Sequence, residues 1–142
     1  MPSVVQSRSF DSVRIFWLDS EEAIRRLREA ASELLRTRSE VLSVLLFGSL
    51  REGRAVPGSD ADVVVLLERS DRRFMDRPLD YSRSFDRVGL PVDLFCYTRE
   101  EARTTPFARR ALEQATVLAQ RDSVRLARTS RSQRRDGVSP QE

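Results

Sequence analysis

The chain is 142 residues long, which allows one compact domain with its own core and excludes two large ones. Apolar residues make up 39% and charged residues 33%, an ordinary balance for a globular chain. No apolar run approaches the roughly 20 residues that cross a bilayer, and the opening MPSVVQSRSF lacks the apolar centre of a secretory signal. A cytoplasmic location without a membrane partner is expected.

The net charge of +3 and the pI near 9.9 resemble a nucleic-acid signal until they are located. Residues 1–120 hold 19 Arg against 19 Asp and Glu, while residues 121–142 hold 6 Arg against 3 acids. The excess therefore belongs to a basic tail, and nucleic acid is not the expected partner of the folded part. Every basic residue is Arg, for which codon bias is a sufficient account. With no His in the chain, zinc sites and Ser-His or Cys-His catalysis drop out. The single Cys96 lies in the apolar run Leu94–Tyr97 and reads as core. Carboxylates, hydroxyls and arginines remain as the chemical toolkit.

Taken in order, residues 12–18 (SVRIFWL) predict a strand. Asp19 and Glu22 then form a candidate capping box. Ile24, Leu27, Ala31, Leu34 and Leu35 recur at helical spacing, predicting an amphipathic helix to about Arg38. Val41–Phe47 reads as a buried strand stopped by Gly48. Further strands follow at about Ala61–Leu67 and Pro91–Tyr97, and such unbroken apolar runs suit central strands covered on both faces. Residues 71–88 read as partly helical. Pro106 opens a last helix whose inner stripe is Phe107, Ala111, Gln114/Ala115 and Leu118. The expected organisation is an α/β (α+β) domain over residues 1–120, a small mixed sheet flanked by helices with its catalytic core at 21–120. A basic, flexible tail at 121–142 follows.

The chemistry concentrates in Phe47-Gly48-Ser49 and Ser59-Asp60-Ala61-Asp62. Asp60 and Asp62, two apart at the mouth of an apolar strand, point the same way. Two such carboxylates repel each other and lose hydration, costs that a hard divalent cation offsets. Asp93, between Val92 and Leu94, would converge on them if its strand is a neighbour; alone it reads equally as a core carboxylate matched by an arginine. Three carboxylates around two metal ions suit in-line nucleotidyl transfer. Gly48 permits close backbone approach to phosphate, and the Ser49 hydroxyl adds a bond.

Gly48-Ser49, ten intervening residues and Asp60-Ala61-Asp62, with Asp93 in a Val-Asp-Leu context, together resemble the signature of the DNA polymerase β-like nucleotidyltransferase superfamily. The resemblance spans about residues 21–120. The short length is most similar to the minimal nucleotidyltransferases, which often stand as antitoxins beside HEPN-domain toxins.

The resemblance implies two Mg²⁺ held by Asp60, Asp62 and Asp93, with Asp93 helping to deprotonate the acceptor. Gly48 and Ser49 would lie on the phosphates of a nucleoside triphosphate, expected to be ATP. Arg51 is either a further phosphate contact or a solvated arginine, and Ser59 would orient the Asp60 loop. Leu50 departs from relatives that carry a polar or aromatic residue there. The implied reaction moves AMP onto a hydroxyl and releases pyrophosphate. Since little chain is left to hold an acceptor, a HEPN-type toxin or a second copy in a homo-oligomer would bring it. The alternative is a non-catalytic module that neutralises its partner by contact alone.

Overall fold

The computed structural model describes residues 5–10, 13–18, 20–48 and 60–122, the first two stretches by backbone alone. Ser49, Arg51, Ser59, Asp19 and nearly all of the expected tail lie outside the described residues.

Strands β1 (Val5–Phe10) and β2 (Val13–Leu18) pair antiparallel, from Val5 opposite Leu18 to Phe10 opposite Val13. The sequence predicts β2 but not β1, whose polar QSRS centre gives no apolar alternation. Helix α1 (Ser20–Thr37) follows, then β3 (Val41–Phe47) and β4 (Ala61–Leu67). Two short 3₁₀ turns flank α2 (Pro78–Tyr81). The chain continues through β5 (Val92–Thr98), α3 (Arg99–Thr104), α4 (Pro106–Gln114) and β6 (Thr116–Gln120). The main sheet has the order β5-β4-β3-β6; β3 is antiparallel to β4 and β6, and β4 is parallel to β5. It is the expected small mixed sheet between helices.

The alternation of side chains along each strand divides the core in two. Val44, Leu46, Val63, Val65, Leu67, Cys96 and Leu118 face α1, which presents Ala23, Leu27, Ala31 and Leu34. Leu42, Leu45, Val64 and Leu66 face Ala102, Ala108 and Ala111 of α3 and α4. Each fully buried Leu or Val contributes about 1.5–3 kcal/mol, so the strands read as nearly unbroken apolar runs. No helix among the described residues is long and apolar enough to cross a membrane.

Two sequence expectations are corrected, and one helix is added. The last helix does not continue to Leu118: α4 ends at Gln114, and Thr116–Gln120 pairs with β3. The β-branched pair Thr116-Val117 favours the strand, and Leu118 reaches the α1 side of the core from it. A separate helix, α3, precedes α4. It starts at a capping box in which Thr98 Oγ1 accepts from the Glu101 N–H while Glu101 accepts from the Thr98 N–H. Finally, β5 is an edge strand and not a central one.

Arginines close what that edge leaves open. Arg77, 5% exposed, donates to the Cys96 carbonyl of β5 at 3.0 Å and holds Glu101 through Nη1 and Nη2. At the opposite edge Arg28 donates to the Val117 carbonyl of β6. Arg121, the first residue of the expected tail, is bound to the body through the carbonyls of Val41, Leu35 and Arg38. Arginine thus has a structural use here that composition alone does not reveal.

Candidate active site

β3 ends, and β4 and β5 begin, at the same end of the sheet. The register sets Phe47 opposite Asp62 and Asp62 beside Asp93. Cross-strand partners share a face, so both carboxylates stand on the α4 side, in line with Leu45, Val64 and Phe95. Asp60 precedes β4 and is exposed; it stands near enough for its charge to act on the carboxyls of both Asp62 and Asp93. Between the two aspartates of the pair, the fully buried Ala61 donates its N–H to the Pro91 carbonyl at 2.8 Å, tying the mouth of β4 to the entry of β5. The parallel pairing therefore sets Asp62 beside Asp93, with Asp60 just ahead of β4.

Their environment resists charge. The Asp62 carboxyl is held above the usual carboxylate range by burial first, then by the charges of Asp93 and Asp60. Asp93 is raised as well, by burial of its carboxyl and then by the Asp60 charge and hydrogen bond. As a residue Asp93 is largely exposed, so its proximity to Asp60 is the firmer physical cause. Behind the carboxylates, Phe47, Phe95 and Phe107 pack ring against ring with centroids 5.2, 5.7 and 5.8 Å apart. This apolar backing strengthens the repulsion between like charges.

Gly48 completes the described part of the site. Its φ of +88° is one that residues with a side chain rarely adopt, and a Cβ there would lie 2.7 Å from Asp62 Oδ2. Glycine is needed for the backbone to turn out of β3 directly over the carboxylate. Ser49, Arg51 and Ser59 lie outside the described residues. Cys96 is fully buried and its thiol is pushed up to about 12, chiefly by burial. That suits the core role expected of it and not a nucleophile.

Whether the residues fit a divalent cation is decided by the donor set. Three carboxylates offer hard oxygen ligands only, the preference of Mg²⁺, and a cation among them would offset the repulsion that raises Asp62 and Asp93. Chemically they fit. Among the described residues no three such groups already close around one point, so the carboxylates are adjacent donors and not a finished cage. Side-chain patterns could not signal the Pro91 carbonyl, although it fixes how the two strands meet.

Comparison with known proteins bears on the domain and its fold. The family model described as a nucleotidyltransferase domain matches residues 24–121. A crystal structure at 1.40 Å of a protein from Sulfolobus solfataricus, provisionally assigned as a nucleotidyltransferase, superposes with a TM-score of 0.56 at 17% identity. The match covers 72% of this chain and 85% of that one. At that identity the likeness speaks for the fold. No curated protein sequence matches the chain.

Proposed function

Since the chain belongs to the nucleotidyltransferase domain family, whose chemistry is nucleotidyl transfer, we propose that it moves AMP from ATP onto a hydroxyl group, with Mg²⁺, and releases pyrophosphate. The observation that carries this reading is the pairing of Asp62 with Asp93 across parallel strands, with the charge of Asp60 acting on both. A structural role would leave such a cluster of carboxylates as an uncompensated cost.

In this reading Asp60, Asp62 and Asp93 hold two Mg²⁺ ions. Bound there, the ions would offset the charge on the phosphate oxygens and ease ionisation of the acceptor. Asp93, the most accessible carboxylate carried on a strand of the site, takes the proton of the acceptor hydroxyl. The hydroxyl oxygen bonds the α-phosphorus, the bond from that phosphorus to the bridging oxygen breaks, and pyrophosphate leaves with the electron pair. Gly48 lets the triphosphate approach the backbone, and Ser49, Arg51 and Ser59 are its proposed further contacts. The matched segment, residues 24–121, takes up most of the described chain. The acceptor we favour is a hydroxyl on another chain, a tyrosine of a HEPN-type toxin.

The test is transfer of label from α-³²P-ATP in the presence of Mg²⁺ and candidate acceptors. Labelling by the wild type that disappears in Asp62→Asn and Asp93→Asn supports the reading. Equal labelling by all three, or by none, refutes it and leaves neutralisation by contact.

A further inference from the structure

Arg26 occupies a position in α1 that suits an apolar side chain. It lies between Ala23 and Ala30 on the inner face of the helix and is 3% exposed. Its Nε donates to Glu22 Oε2 at 2.8 Å, and its Nη1 donates to the Val88 carbonyl at 3.4 Å. Its Nη2 is buried with no hydrogen-bond partner among the described residues. A buried guanidinium with an orphan donor lowers stability where an apolar side chain of similar volume would not. Nor does Glu22 depend on it, because Arg25 already binds that carboxylate through Nε and Nη2. What only Arg26 provides is the bond to Val88.

That bond leads to the carboxylates. Val88 is 1% exposed and donates its own N–H to the Phe85 carbonyl. The chain then turns at Gly89, whose φ is +96°, and reaches Pro91, whose carbonyl receives the Ala61 N–H. Ala61 stands between Asp60 and Asp62 and pairs with Val92, next to Asp93. A tether at Val88 thus sets how the chain enters β5, and with it the register of Asp93 against Asp62.

We propose that Arg26 is a positioning residue for the carboxylate site, anchoring the Val88–Pro91 segment to α1 so that Asp93 is held beside Asp62 across the β4–β5 junction. Its effect on turnover rests on the proposed transfer reaction. Its effect on the β4–β5 junction does not.

The experiment compares Arg26→Met, which keeps the stem and loses the bond, with Arg26→Lys, which keeps a charge should the methionine variant not fold. In the metal-free protein, exchange of the Ala61 amide followed by NMR should quicken about tenfold while that of Val44, deep in β3, stays unchanged. Mn²⁺, titrated alone by EPR, should bind several-fold more weakly. In transfer assays kcat should fall about tenfold or more, with the KM for ATP within about twofold of wild type.

A surface cleft of about 180 Å³, lined by Arg26, Glu33, Ser84, Arg87 and Val88, opens beside the side chain. Guanidinium ion at low millimolar concentration should therefore restore part of the kcat of Arg26→Ala and none of that of Asp93→Asn. Unchanged Ala61 exchange, or equal quickening at Ala61 and Val44, would overturn the inference, as would a wild-type kcat in Arg26→Met. A wild type that transfers nothing refutes the proposed function, and the exchange measurement still decides the role of Arg26.

Discussion

The contact between Gly48 and Asp62 makes a single methyl group a sharp probe of the site. In Gly48→Ala the new Cβ starts 2.7 Å from Asp62 Oδ2, where ordinary contact begins at 3.4 Å, so the two atoms must part by about 0.7 Å. Two costs follow. The left-handed backbone at φ +88° costs alanine about 1–2 kcal/mol that glycine avoids. The contact must then be relieved by turning the Asp62 carboxylate away from Asp93 or by moving the chain after β3. Since misplacement on the order of 1 Å costs about 100-fold in rate, kcat should fall by about that factor while the melting temperature drops only by the backbone term and a fraction of the steric one.

A double-mutant cycle separates the two. In the Asp62→Ala background the carboxylate is gone, and adding Gly48→Ala should cost only the backbone term, about 1–2 kcal/mol by urea unfolding. An equal cost in both backgrounds, or a Gly48→Ala enzyme within about twofold of wild-type turnover, would refute the assigned contact and the role of Gly48 with it.

Two further perturbations address charge. Asp62 and Asp93 have folded-state pKa values raised above their ordinary range, so each favours the folded protein most at low pH and loses that contribution as pH rises through the raised value. Without metal, the wild type should lose melting temperature relative to Asp62→Asn as pH rises from about 4, the ordinary aspartate value, a gap that Mg²⁺ narrows, and parallel curves would refute it. Glu22, lowered from 4.5 to about 2 chiefly by its hydrogen bond to Arg25, has the opposite sign: its contribution is lost progressively as pH falls from 4.5 to about 2. Arg77→Ala removes donors from the Cys96 and Arg72 carbonyls and from Glu101. With Glu101 exposed enough to rehydrate, the loss should be about 2–3 kcal/mol by urea unfolding, and a loss below about 1 kcal/mol would exclude a role in closing the β5 edge.

How much of this was legible depended on whether the cause was local. The strands Val41–Phe47 and Ala61–Leu67 follow from their apolar runs and match the observed bounds. Pro106 starts α4 as expected, because its missing N–H suits a first turn. The end of that helix was misread because Phe107, Ala111 and Leu118 fit helical spacing, while the preference of Thr116-Val117 for a strand takes effect only when β3 is there to pair with it. Arginine was least legible of all. Arg26 and Arg77 are buried, Arg25 and Arg73 are exposed in ion pairs, and nothing in the residue type separates them before the partners are in place.

The site was legible as a set of residues and not as an arrangement. Asp60-Ala61-Asp62 announces itself by spacing, but the place of Asp93 depends on whether β5 lies beside β4, a long-range choice that no local pattern encodes. The sheet order resolves this with a consequence for chemistry. Asp62 lies on an inner strand, between Phe47 and Asp93, and is half-buried. Asp93 lies on the edge strand and is exposed. Under the proposed reaction the two therefore divide the work: Asp62, fixed from both sides, is suited to hold a cation in place. Asp93, open on one side, can be reached by a hydroxyl on another molecule without that molecule crossing the sheet. An edge strand, ordinarily a liability to be covered, is under that reading the side on which an acceptor from a separate chain would arrive.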